Sequence, residues 1–239
     1  LSGCVSPPGE RPSDRELVVF HAGSLSVPVN RLSRLFEERH PGVTVRAEAA
    51  GSRDCARKVA ELDKRCDVLA SADYRVVENL LMPEHARFNI RFAANAMAVA
   101  YTARSRYADE ISADNWPEVL LRDGVTFGRS DPNSDPCGYR AEMVFQLAEA
   151  LFDQPGLAER LRKRHGRKFM RSKATDLLAL LEIGEVDYLF TYASIAKQHG
   201  LRMVDLPPEL DLSSHEFADR YAVANVRVSG RRPGEFITV

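Results

Sequence analysis

The sequence predicts an α/β fold built on a mostly parallel sheet, and three observations carry that prediction. Residues 16–81 alternate between β-branched apolar runs and helical spacing three times, the pattern of strand–helix–strand units. Each of the three strands runs into a turn of small residues that includes a serine. Further on, Gly128–Arg140 packs a dense polar turn, with two Asp-Pro steps, between a strand at Val125–Phe127 and a long apolar helix. Ligands in open parallel sheets sit beyond the carboxyl ends of the strands, so these turns are where a site is expected.

Taken in order, Glu16–Phe20 is the first strand, and it ends in His21-Ala22-Gly23-Ser24-Leu25. Val29, Leu32, Leu35 and Phe36 then mark one face of a helix, stopped at His40-Pro41-Gly42. Val43–Glu48 is the second strand, followed by Ala49-Ala50-Gly51-Ser52 and a helix carrying Ala56, Val59 and Ala60. Asp67–Ala70 is the third, followed by Ser71-Ala72-Asp73 and a short helix from Tyr74 to Leu81. Ile90–Tyr101 is predicted as one long strand that leaves a first lobe near Asn95 and enters a second.

In the second lobe, Trp116–Leu121 predicts a short helix. Met143, Val144, Leu147, Ala148, Leu151 and Phe152 lie at helical spacing, so a helix is expected over 139–152. A basic helix over 157–165 follows, whose Arg and Lys run reads as a solvated face. Phe169–Met170, Val186–Tyr192 and Leu201–Leu206 are further strands, with helices after Ser172–Asp176 and over Ala193–His199. Tyr221–Val228 is expected to be a strand returning to the first lobe, and Phe236–Val239 a last apolar strand with further chain beyond it. The expected division is a tether over 1–15, the first lobe over 16–94, the second over 95–213 and a return over 214–239.

Composition narrows the function classes. The chain has 239 residues, 44% of them hydrophobic and 28% charged, enough for a packed core and a polar surface. A net charge of −1 gives no global field toward nucleic acid, so no nucleic-acid partner is expected. No run of 18 apolar residues is present, so no membrane-spanning helix is expected. Neither Cys-x-x-Cys nor a histidine pair at metal spacing occurs, and G-x-S-x-G, G-x-G-x-x-G and phosphate-loop signatures are absent. An enzyme is therefore not expected, and neither is a resident cofactor. Leu1-Ser2-Gly3-Cys4 resembles the lipobox that ends a bacterial lipoprotein signal peptide, in which Cys4 would carry the lipid. The Pro-rich segment after it, 5–14, suits a tether. Cys55 and Cys66 could pair in an oxidising compartment, though spacing does not decide it.

Together, the His21–Leu25 turn (HAGSL), Ala49–Ser52 (AAGS), Ala72-Asp73-Tyr74, Ser130–Arg140 (SDPNSDPCGYR) and Asp187–Tyr192 (DYLFTY) resemble the periplasmic tungstate/molybdate-binding proteins of ABC importers, in their archaeal-type branch. The likeness runs in order over residues 17–239. It implies a type II periplasmic-binding-protein fold, two α/β lobes joined at a hinge with an oxyanion between them. It also implies a monomeric, lipid-anchored, extracytoplasmic receptor that delivers tungstate or molybdate to an ABC permease. Carried over residue by residue, Ser24 and Ser52 would donate hydroxyl and amide hydrogen bonds. Asp135 would approach the metal of the oxyanion, with the backbone of Pro136, Cys137 and Gly138 beside it, and Tyr192 would offer its phenol. Gly23, Gly51, Ser71, Ala72 and Ala174 would line the cleft.

Each of these has a plainer alternative: Ser24, Ser52 and Asp135 could be helix N-caps, and Tyr192 a core tyrosine. The chain also departs from the family at one place. The second acidic ligand belongs to a Ser-Lys-Glu-Thr-Asp-like motif, and here Ser172-Lys173-Ala174-Thr175-Asp176 has alanine instead of glutamate. A five-coordinate or near-tetrahedral centre is then expected in place of the family's six-coordinate one. Another oxyanion (sulfate or phosphate) or a small organic anion is the competing ligand class.

Overall fold

The computed structural model describes residues 15–228 and 235–237. The tether and Cys4 lie outside the described residues.

The first lobe holds β1 (Arg15–Ala22), α1 (Ser26–Arg39), β2 (Val43–Ala50), α2 (Ser52–Ala60), β3 (Val68–Ala70) and α3 (Tyr74–Leu80). Its sheet is fully parallel in the order β2-β1-β3. Two small apolar clusters hold it: Val18, Phe20 and Cys55, and Ala56 with Val76, Val77, Leu80 and Leu81. The predicted apolar face of α1 is only partly used. Leu32, Leu35 and Phe36 remain exposed, at 63%, 41% and 39%, and the helix buries none of its residues. Cys55 and Cys66 are separate thiols in the same lobe.

The second lobe holds β4 (Met97–Tyr101), α4 (Trp116–Leu121), β5 (Phe127–Ser130), α5 (Pro136–Leu151), α6 (Leu157–Lys163), β6 (Met170–Arg171), α7 (Leu178–Glu182), β7 (Tyr188–Tyr192), α8 (Ala193–Gln198) and β8 (Arg202–Asp205). The sheet order is β6-β5-β7-β4-β8; β6, β5 and β7 run parallel, while β4 runs antiparallel to both of its neighbours. Trp116, Phe127, Phe145 and Phe190 meet edge to face in its core; the Phe145 and Phe190 rings are 4.8 Å apart at 83°.

Two sequence predictions are corrected. The long strand expected over Ile90–Tyr101 is a strand only from Met97. Residues 90–96 pair with no strand among the described residues, and Ile90 and Phe92 are 70% and 66% exposed. An apolar run reads as a strand from sequence, but a strand also needs a hydrogen-bonding neighbour. The crossing itself lies where expected: the Asn95 amide donates to Ser194 Oγ at 2.6 Å as the chain enters β4.

The second correction concerns the return. Tyr221 ends a short helix, α9 (Ala218–Tyr221), and only β9 (Val226–Val228) is extended, paired antiparallel with β10 (Glu235–Ile237). This segment packs on the second lobe. Tyr221, Ala224, Val226 and Val228 join that lobe's core, and Gln146 on α5 brackets Asn225 with two hydrogen bonds. Among the described residues, Glu235–Ile237 pairs with β9 and not with the first lobe's sheet.

Candidate functional site: an anion cleft between the lobes

The parallel strands of both sheets end at the facing edges of the lobes, and helices begin there. Gly23–Leu25 forms a 3-10 turn into α1, Ser52 opens α2, Pro136 opens α5, and Ala174–Leu177 forms a second 3-10 turn. The free N–H groups and positive dipole ends of helix starts suit an anion.

The lobes meet directly across this edge. The Arg53 amide donates to the Ser134 carbonyl at 3.1 Å, and Arg53 Nε donates to the Asn133 carbonyl at 3.2 Å. A Cβ on Gly51 would lie 2.7 Å from the Ser134 carbonyl carbon and 2.8 Å from the Ser172 oxygen, so only glycine allows this approach. Gly23 faces the Thr175 and Lys173 side chains across the same edge.

Three hydroxyls at this edge have protons to donate. Ser52 Oγ accepts the Ala72 amide at 2.9 Å, which leaves its hydrogen free. Tyr192 Oη accepts from Arg140 Nη1 at 2.7 Å, with the same consequence. Burial raises the Tyr192 phenol above its ordinary range, so it keeps its proton. Ser24 is 9% exposed, and its hydroxyl makes no hydrogen bond among the described residues. Ser24 is not an N-cap by side chain, and neither turn start shows a side-chain cap bond. Ser71 lines the turn, but its hydroxyl is engaged with Asp73 of its own turn.

Asp135 takes the capping role that was its plainer alternative. It is the N-cap of α5: Oδ1 accepts the Cys137 amide at 3.2 Å, and the Asp135 carbonyl accepts the Gly138 amide at 3.0 Å. Oδ2 accepts the Ala174 amide at 3.0 Å. Desolvation by burial pushes its carboxyl up to about 6, against the pull of those N–H groups. The Pro136–Gly138 backbone is thus spent within the turn: proline has no N–H, and the next two amides serve Asp135. The Cys137 amide supports the carboxylate, and the Gly138 amide closes the turn on the Asp135 main-chain carbonyl. Cys137 is fully buried, and desolvation holds its thiol protonated. Gly138 lies so close to the Asp131 carbonyl carbon and Pro132 nitrogen, 2.7 Å from each for an added Cβ, that the turn requires glycine. Ala174 is buried.

Sequence reading missed the two arginines that tie the lobes together. Besides Arg53, Arg140 reaches from α5 to the Ala72 carbonyl (3.0 Å) and to Asp73 Oδ2 (3.0 Å). Arg140 stands in the polar motif itself, so a cation at a helix start was the available signal. Its partner lies 67 residues away and could not be read locally. His21 is a packed strand-end residue; burial lowers its pKa, and Nδ1 contacts the Ala22 carbonyl.

The family model for bacterial extracellular solute-binding proteins matches residues 17–227. The chain belongs to that family. A solute-binding protein of Petrotoga mobilis is 51% identical over 93% of this chain and 70% of its own length. The molybdate/tungstate-binding protein WtpA of Thermococcus kodakarensis is 38% identical over 94% of this chain and 72% of its own. Among solved structures, the sulfate-binding protein SubI of Mycobacterium tuberculosis superposes with a TM-score of 0.60 at 15% identity, over 85% of this chain and 78% of that one. This solute-binding protein therefore has the two-lobe, type II fold that the motifs imply. Among the described residues, no helix is long and apolar enough to cross a membrane.

Proposed function

We propose that this solute-binding protein captures molybdate or tungstate between its lobes and delivers it to an ABC permease. The observation that carries the reading is the set of hydroxyls at Ser24, Ser52 and Tyr192, each with a proton left to donate at the closed edge. Such a site prefers a fully deprotonated oxyanion, and phosphate, which keeps a proton at neutral pH, presents a donor to donors. The relative named for molybdate and tungstate supports the same ligand class. The protein is proposed to act as a monomer outside the cytoplasm, held to the membrane through Cys4.

Asp135 is proposed to separate these metals from sulfate. A carboxylate about 4 Å from each unit of anionic charge costs roughly 4 kcal/mol at an effective dielectric of about 20. Tungsten and molybdenum can offset this by accepting a carboxylate oxygen into an enlarged coordination shell, and sulfur in sulfate does not. Each Asp135 oxygen already accepts one amide and retains a second lone pair for that role.

A thermal-shift panel with tungstate, molybdate, sulfate and phosphate tests the reading. Tungstate and molybdate are expected to raise the melting temperature by mass action. An equal or larger rise with sulfate would reassign the ligand. Ala174→Glu is a second test. X-ray absorption of the tungstate complex is expected to show a higher coordination number in the variant than in the parent, and equal numbers would remove Ala174 as the cause of a reduced shell.

A further inference from the structure

Tyr139 and Arg140 are adjacent on the first turns of α5, and both reach across to one residue of the other lobe. Tyr139 Oη donates to Asp73 Oδ2 at 2.5 Å, and Arg140 Nη2 donates to the same oxygen at 3.0 Å. Asp73 Oδ1 is meanwhile the N-cap of α3, accepting the Arg75 amide at 2.9 Å. The group is dry: Asp73 is 6% exposed and Tyr139 1%. Arg140 also donates to Ala72 O and to the Tyr192 phenol. One guanidinium thus joins the first lobe's turn to a hydroxyl of the proposed anion site.

We propose that Asp73, Tyr139 and Arg140 form a cross-lobe latch that holds the cleft closed and orients the Tyr192 phenol toward the anion. The bonds join different lobes, so they exist only when the lobes meet; an open cleft returns all three groups to water. Closed, Asp73 neutralises Arg140, and the anion faces the Tyr192 proton that this guanidinium turns outward. The two halves divide the work. Arg140 positions Tyr192, and Asp73 positions Arg140, so Asp73 governs how long the bound anion stays without touching it.

Asp73→Asn isolates the latch. Asparagine keeps the oxygen that caps α3, and it turns an NH2 toward two donors. Tyr139→Phe removes one hydrogen bond and little volume. A buried hydrogen bond to a charged group corresponds to about a 10- to 100-fold effect, so tungstate is expected to dissociate about that much faster from Asp73→Asn, with a smaller change in its association rate. The double variant is expected to be no faster than Asp73→Asn alone, because both changes break one unit. An unchanged dissociation rate, or additive effects of the two substitutions, would overturn the latch. The kinetic test rests on the proposed ligand class. If the parent does not bind tungstate or molybdate, that reading fails, and small-angle scattering of the ligand-free proteins decides the latch. A larger radius of gyration for Asp73→Asn than for the parent supports it, and equal radii overturn it.

Discussion

Gly51→Ala is expected to lower tungstate or molybdate affinity by about 100-fold while leaving each lobe folded. The added methyl would meet the Ser134 carbonyl group and the Ser172 carbonyl oxygen. Both are backbone of the other lobe, with no flexible side chain to yield. Within its own lobe the change is benign, since Gly51 has φ −61° and ψ 142°, angles that alanine adopts freely. The strain therefore falls on the closed arrangement alone. Overpacking of this kind costs about 1–3 kcal/mol, and contact with rigid backbone places it at the upper end. A closed population reduced by that factor reduces apparent affinity in proportion. Isothermal titration with tungstate, beside a circular-dichroism melt of the ligand-free protein, reads both halves. An affinity within about threefold of the parent would show that closure does not need this contact.

Asp135→Asn is expected to change how the stability of the ligand-free protein depends on pH, by about 3 kcal/mol between about pH 4 and pH 7.5. The folded-state carboxyl titrates near 6, raised from its ordinary 3.8 by burial. Below 3.8 both folded and unfolded chains hold the proton. Between 3.8 and about 6 only the folded chain holds it, so the stability that the protonated group contributes falls as pH rises through this window. Above about 6 the folded chain carries a buried charge, and each tenfold loss in acidity caused by burial corresponds to roughly 1.4 kcal/mol. Asparagine caps the helix comparably and carries no charge. Its altered contact with the Ala174 amide is the same at every pH. The variant should therefore gain stability relative to the parent as pH rises, measured by urea unfolding at the two ends. A constant difference would mean that Asp135 is not held in a dry, charge-averse site.

How far the site was legible can be judged residue by residue. Ser24 and Ser52 were accessible to sequence because strand-to-turn-to-helix patterning is local, and it places them beyond the ends of adjacent strands of one sheet; Tyr192, at the end of a strand in the other sheet, came from the family resemblance. Asp135 was accessible as an acid before Pro136, but the pattern allowed a cap or a ligand; the structure shows the cap made and a second oxygen held by Ala174. Arg53 and Arg140 were not legible as cleft residues. An arginine in a polar turn is normally solvated, and only the meeting of two lobes buries Arg53 and largely covers Arg140. The exposed run at Ile90–Phe92 erred in the other direction, since apolar residues show that burial would be favourable but not that a partner strand is there.

By itself, the sequence determined the α/β alternation, the order of the lobes, the crossing near Asn95 and the turns that supply the hydroxyls. These follow from period, turn chemistry and strand ends, all set within a few residues of chain. Only the tertiary structure decided that Tyr221–Val228 stays with the second lobe, that the Cys137 and Ala174 amides both serve the Asp135 carboxylate, and that Asp73 answers Arg140 across the cleft. Each of these depends on groups far apart in sequence sharing one dry volume, where an unpaired polar atom is costly, and such pairing is settled by packing.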